Sequence, residues 1–162
     1  MKAAFVLLLV FAACSQPSAP PASVTGTGAA ADVALPRVTF PDGYAVHVEL
    51  ATDEATRAQG LMYRDRLRDQ TGMLFFFREM SVHGFWMKNT LIPLDMIWID
   101  DQRRVVHVKY DVPPCQADPC PTYDPGVPAK YVLEVAGGVA RQHGVTQGAQ
   151  LRFEGLDNVT VN

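Results

Sequence analysis

From about residue 35 the chain is a succession of short apolar segments divided by turn residues. "YAVHVEL" alternates, with Val46, Val48 and Leu50 on one side and Ala45, His47 and Glu49 on the other, the period of a half-buried strand. Pro41-Asp42-Gly43 separates it from an earlier strand that starts at Val38. "GMLFFF", Gly72 to Phe77, has no polar face, which predicts a strand buried on both sides. Further strands are predicted over Met96–Ile99, in "VVHVKY" and "KYVLEV", and over Leu151–Phe153 and Val159–Val161. Helical spacing is confined to residues 53–60, capped by Thr52 or Asp53 and stopped at Gly60, and to residues 138–143 after Gly137-Gly138. About eight short strands and two short helices, without regular β–α alternation, predict a mainly β domain: a single compact antiparallel β-sandwich or partly closed barrel.

One segment breaks the pattern. "FWMKNTLIPLDMIWID", Phe85 to Asp100, sets Lys88, Asn89 and Asp95 inside a run of Trp, Met, Leu and Ile. Buried charge is costly unless it is paired or used. Read as a strand over 85–90, Trp86 and Lys88 share one face, an aromatic surface beside a cation suited to a ligand, while Asn89 lies on the other. The structural alternative is a core Trp with a Lys whose ammonium reaches out to water. Pro93 removes a backbone donor and forces a bend, so Asn89 and Asp95 are expected to be buried beside it, bonding backbone groups. Trp86 and Lys88 are expected to be the more accessible pair and to line a cleft.

The first residues are of a different kind. Met1-Lys2, an apolar run to Phe11 and Ala12-Ala13-Cys14 read as a signal peptide over 1–13 of the type cleaved before an acylated cysteine. Residues 14–34 are Ser, Pro, Gly, Thr and Ala almost throughout, too poor in apolar side chains to form a core, and are expected to be a flexible tether from lipidated Cys14. Residues 35–162 form the single domain. The expected location is the cell envelope, facing the periplasm from the outer membrane.

Of three cysteines, Cys115 and Cys120 remain as a pair in "PPCQADPCP". In an oxidising compartment they are expected to form a disulfide closing a short loop. No zinc ligands flank them, and no metal or other cofactor is expected. A net charge of −3 with no basic run argues against nucleic-acid binding.

"GLMYR", "GMLFFF", "FWMKNTLIPLDMIWID", "VVHV", "PPCQADPCPTY" and "VLEVAGGVARQHGVTQG" occur in this order and together resemble domain of unknown function 192, over about Val46 to Phe153. The resemblance implies a compact, mainly β fold and implies no activity.

The remaining chemistry therefore rests on residue types. A glycosidase needs two carboxyls flanking one bond. Asp95 and Glu134 are the carboxyls set in apolar surroundings, and they are the candidate acid and base of an envelope carbohydrate hydrolase. Arg64 is expected beside the binding candidates Trp86, Lys88, Asn89 and Asp95, or paired with Asp95 or Glu134 as a buried bridge. Five methionines, Met62, Met73, Met80, Met87 and Met96, suit a copper site or, more simply, core packing. No Ser stands in a nucleophile elbow, and His83 and His143 are isolated. The first reading is a non-catalytic module binding a small molecule or carbohydrate; the others are the hydrolase and a scaffold contacting another envelope protein.

Overall fold

The computed structural model describes residues 36–162. The signal peptide, Cys14 and the tether expected over 1–34 lie outside the described residues. No helix among the described residues is long and apolar enough to cross a membrane.

The domain is mainly β, as the alternation predicts. Seven strands form one sheet in the order β6 (Val105–Val112), β5 (Leu94–Ile99), β8 (Ala129–Ala136), β3 (Thr71–Ser81), β2 (Ala45–Ala51), β1 (Arg37–Thr39) and β9 (Arg152–Glu154). A second, two-stranded sheet pairs β4 (Phe85–Trp86) with β7 (Thr122–Tyr123). β7 falls in a Pro- and Gly-rich stretch that carries no strand signal. Val159–Val161, expected as a strand, is irregular; it packs on the core through its side chains.

All pairings in the large sheet are antiparallel except β2 with β3. A parallel neighbour needs a crossover. Helix α1 (Glu54–Gln59) and the loop after it supply one, and a capping box between Asp53 and Thr56 starts the helix. The sheet curls into a half-barrel, and hydrogen bonds Val105 N–H to Ala149 O and Leu151 N–H to Arg103 O join the start of β6 to the segment leading into β9. The two edges of the sheet meet at that end, which is the partial closure expected.

Both faces of the sheet are covered. Ile97, Ile99, Leu74, Leu133 and Val135 form one core, closed by the short helix α2 (Val139–Gln142) through Ala140. Met73, Phe75, Met96, Trp98 and Val132 form the other, roofed by Leu61, Met87 and Phe85. This two-sided burial accounts for the unbroken apolar character of β3 and β5.

Candidate functional site

The bend at Pro93 leads into β5 and brings Asp95 to full burial. Its carboxylate accepts three backbone N–H groups, from Asp111 at 2.6 Å, Gly138 at 3.0 Å and Ala140 at 2.7 Å. It thereby ties β6 and the first turn of α2 to β5 and satisfies donors that would otherwise be orphaned. Gly138 adopts φ +91°, and a side chain on Gly137 would collide with Asp111 Oδ1 at 2.5 Å and with Pro93. The glycine pair lets α2 approach the bend this closely.

Asn89 sits differently from the expectation. The strand ends at Trp86, and Asn89 occupies a turn at φ +56°, half-buried, where its side-chain amide donates to Tyr63 Oη at 2.9 Å and its carbonyl accepts from Tyr63 N at 2.8 Å. It fastens the 61–64 loop to the turn and does not bond the Pro93 bend with its side chain.

Arg64 pairs with neither Asp95 nor Glu134. It makes a two-pronged ion pair with Glu49, at 2.5 and 2.7 Å. The register explains this. Glu49, Met73, Glu134 and Met96 lie side by side across β2, β3, β8 and β5. Glu49 is therefore the near carboxyl, and Glu134 lies two strands, about 10 Å, farther in.

The proposed acid–base pair is also separated. Asp95 is opposite Val135, and Met96 is opposite Glu134. Neighbours along a strand point to opposite faces, so the two carboxyls lie on opposite sides of the sheet and cannot flank one bond. Met73, Met87 and Met96 pack in the core on Glu134's side.

Trp86 is 49% exposed, and the Lys88 ammonium lies 5.7 Å from its ring centroid. Lys88 also pairs with Asp118 at 3.3 Å, inside the loop closed by the Cys115–Cys120 disulfide. The loop is held to the same segment by Cys115 N–H to Met87 O at 3.3 Å.

The two side chains do not share one cleft. Lys88 borders a hollow against the disulfide loop, whereas Trp86 borders a groove along α1. The first part of the groove, about 290 Å³, runs past Phe85, Phe77, Glu54 and Arg57. A further 550 Å³ continues past Arg78 and His83. Arg57 is fixed by bonds to Phe76 O at 3.1 Å and Asn162 O at 3.2 Å. His83 stacks on Phe77 at 3.5 Å, and burial lowers its pKa, so it is uncharged at neutral pH.

Trp86 also borders a smaller cavity, about 30 Å³, lined by Phe75, Phe85, Leu61, Thr90 and Glu134. Glu134 is 4% exposed. Burial alone pushes its carboxyl up to about 8, and among the described residues no donor or cation compensates it. Sequence reasoning marked Glu134 for its apolar strand but paired it with the wrong partner. It set His83 aside as isolated, read Phe77 only as part of a buried strand and gave Arg57 no role, because the three come together only where α1 lies over the end of β3.

Residues 37–153 match the family DUF192, described as "Uncharacterized ACR". A UPF0127 protein of Thermococcus gammatolerans is 31% identical over 113 residues, 67% of each chain. Two crystal structures share the fold. A protein of unknown function from Novosphingobium aromaticivorans is 34% identical with a TM-score of 0.66, covering 72% of this chain and 82% of that one. A protein of Sinorhizobium meliloti 1021 described as a candidate transcription regulator is 37% identical with a TM-score of 0.66, covering 75% of this chain and 93% of that one.

Proposed function

The chain belongs to the uncharacterised DUF192 family, and since that membership brings no activity with it, we propose from the site itself that this protein is a non-catalytic carbohydrate-binding module held at the cell envelope by a lipid on Cys14. The observation that carries the reading is Trp86, a half-exposed indole on a two-residue strand, bordering an aromatic-lined groove with Arg57 and Glu54 at its side. Indole faces stack on the C–H faces of sugars, and a few fixed polar groups orient the ring. Hydrolysis by Asp95 and Glu134 is not part of this reading, since their carboxyls are on opposite faces.

The envelope location is supported by the lipobox-like segment ending at Cys14 and by the Cys115–Cys120 disulfide, a bond that persists in oxidising compartments. The regulator description of the S. meliloti relative is not carried over, because a net charge of −3 does not suit a phosphate backbone.

A thermal-shift screen of the full-length protein against cell-wall glycans and simpler sugars tests the proposal, because a ligand of the native state raises the melting temperature. The expected result is a shift for at least one glycan that Trp86→Ala removes. No shift with any glycan, or a shift that Trp86→Ala leaves intact, rejects it. A second reading, contact with another envelope protein, draws support from Tyr63 and Leu91, 69% and 57% exposed around the Asn89 turn.

A further inference from the structure

Of the two buried carboxyls among the described residues, Asp95 accepts three N–H groups and Glu134 accepts none. An apolar residue of similar size would fill the Glu134 position at lower cost, since an unpaired buried polar group is destabilising. The carboxyl is not sealed in. It lines a cavity of about 30 Å³ that Trp86 borders on the side of the groove. That volume admits a water-sized group such as a hydroxyl.

We infer that Glu134 is the specificity-determining residue of this groove, pairing with a hydroxyl that a sugar ring stacked on Trp86 lowers into the cavity. The inference rests on the carbohydrate-binding reading and adds the group that is read. A neutral carboxyl has one O–H donor and one free carbonyl acceptor, the complement of a hydroxyl, which also donates once and accepts. Burial keeps Glu134 neutral below about pH 8. The surroundings agree. β3 and β5 present Met73 and Met96 on either side of it, and the segment from Phe85 to Thr90 presents apolar groups and one hydroxyl to the cavity. α1 contributes Arg57, the one charged side chain among the described residues at the cavity besides Glu134, with its guanidinium bound to two carbonyls.

The test is tryptophan fluorescence of the full-length protein titrated with chitotetraose and with cellotetraose across neutral to alkaline pH. Of the two tryptophans, Trp98 is fully buried but donates to His83 O, so a response that persists in Trp98→Phe reports on Trp86. Wild-type affinity is expected to fall about tenfold between about pH 7 and pH 9, as the neutral fraction of a group titrating near 8 falls. Glu134→Gln, a neutral donor and acceptor, is expected to keep binding at neutral pH and lose the pH dependence; Glu134→Leu is expected to lose at least tenfold throughout, about 1.4 kcal/mol. Thermal melts of both variants at or above the wild type exclude unfolding as the cause. If Glu134→Leu binds like the wild type, the inference is overturned while carbohydrate binding stands. Affinity that rises with pH and is abolished by Glu134→Gln makes the ionised carboxylate the binding form and also overturns it. No fluorescence response to either probe overturns the inference, and if no glycan shifts the melt either, the carbohydrate reading falls with it.

Discussion

Asp95 and Glu134 lie on paired strands one residue out of step, so that two buried carboxyls of one sheet face opposite cores. One is surrounded by backbone donors and anchors the fold. The other has only a cavity before it. Identical chemistry in the sequence thus divides into a structural fastening and a candidate recognition group.

Glu134 makes stability pH-dependent. Its carboxyl titrates at about 8 when folded, against an ordinary value of 4.5. Between those values the folded state holds a proton that the unfolded state has released, so stability falls as pH rises across that window and levels off above it. The slope approaches about 1.4 kcal/mol per pH unit, several kcal/mol in all. Thermal melts across the window are expected to show this decline, and Glu134→Gln to flatten it. A wild-type curve that is level or rises from pH 5 to about 8 contradicts the unpaired carboxyl.

Asp95→Asn is expected to cost about 1.5–3 kcal/mol, because an amide oxygen replaces a charged acceptor and its NH2 group faces other donors. Asp95→Ala is expected to cost more, since three N–H groups lose their acceptor. Urea denaturation measures both. A change within about 0.5 kcal/mol in Asp95→Ala rules out the anchoring role.

Trp86→Ala is expected to change stability by about 1 kcal/mol or less, the indole being half exposed, while abolishing the response to glycans. Parallel melts with and without ligand separate the two effects. Loss of folding alongside loss of binding would make Trp86 a packing residue.

Replacing Cys115 and Cys120 together by Ser is expected to lower stability by about 2 kcal/mol, the chain-entropy value for so short a loop. It is also expected to loosen the Asp118–Lys88 pair that holds the ammonium near the Trp86 ring. Mass measurement of the wild type without reductant is expected to show the two thiols linked. Two free thiols in protein recovered from the envelope contradict the assignment.

Cys14→Ser is expected to leave an uncut precursor or move the protein out of the membrane fraction. Fractionation and immunoblotting measure it, and unchanged processing with unchanged retention rejects the lipid anchor.

Local patterns carried far in this chain. Alternation in β2, the unbroken apolar run of β3 and the turn residues between segments determined a mainly β domain with two short helices, because side-chain period and backbone restriction act within a few residues. The same locality marked Asp95, Glu134 and Trp86 as exceptional. What those residues do depends on partners far along the chain. The acceptor role of Asp95 needs Gly138 and Ala140. The separation of Asp95 from Glu134 is a one-residue matter of strand register, which no single strand encodes. Arg64 went to Glu49 because the parallel pairing of β2 with β3 placed that carboxyl nearest, and the parallel pairing came from α1 acting as a crossover. Burial, pairing and cavity shape are set by where strands meet in space, and only the tertiary structure decided them.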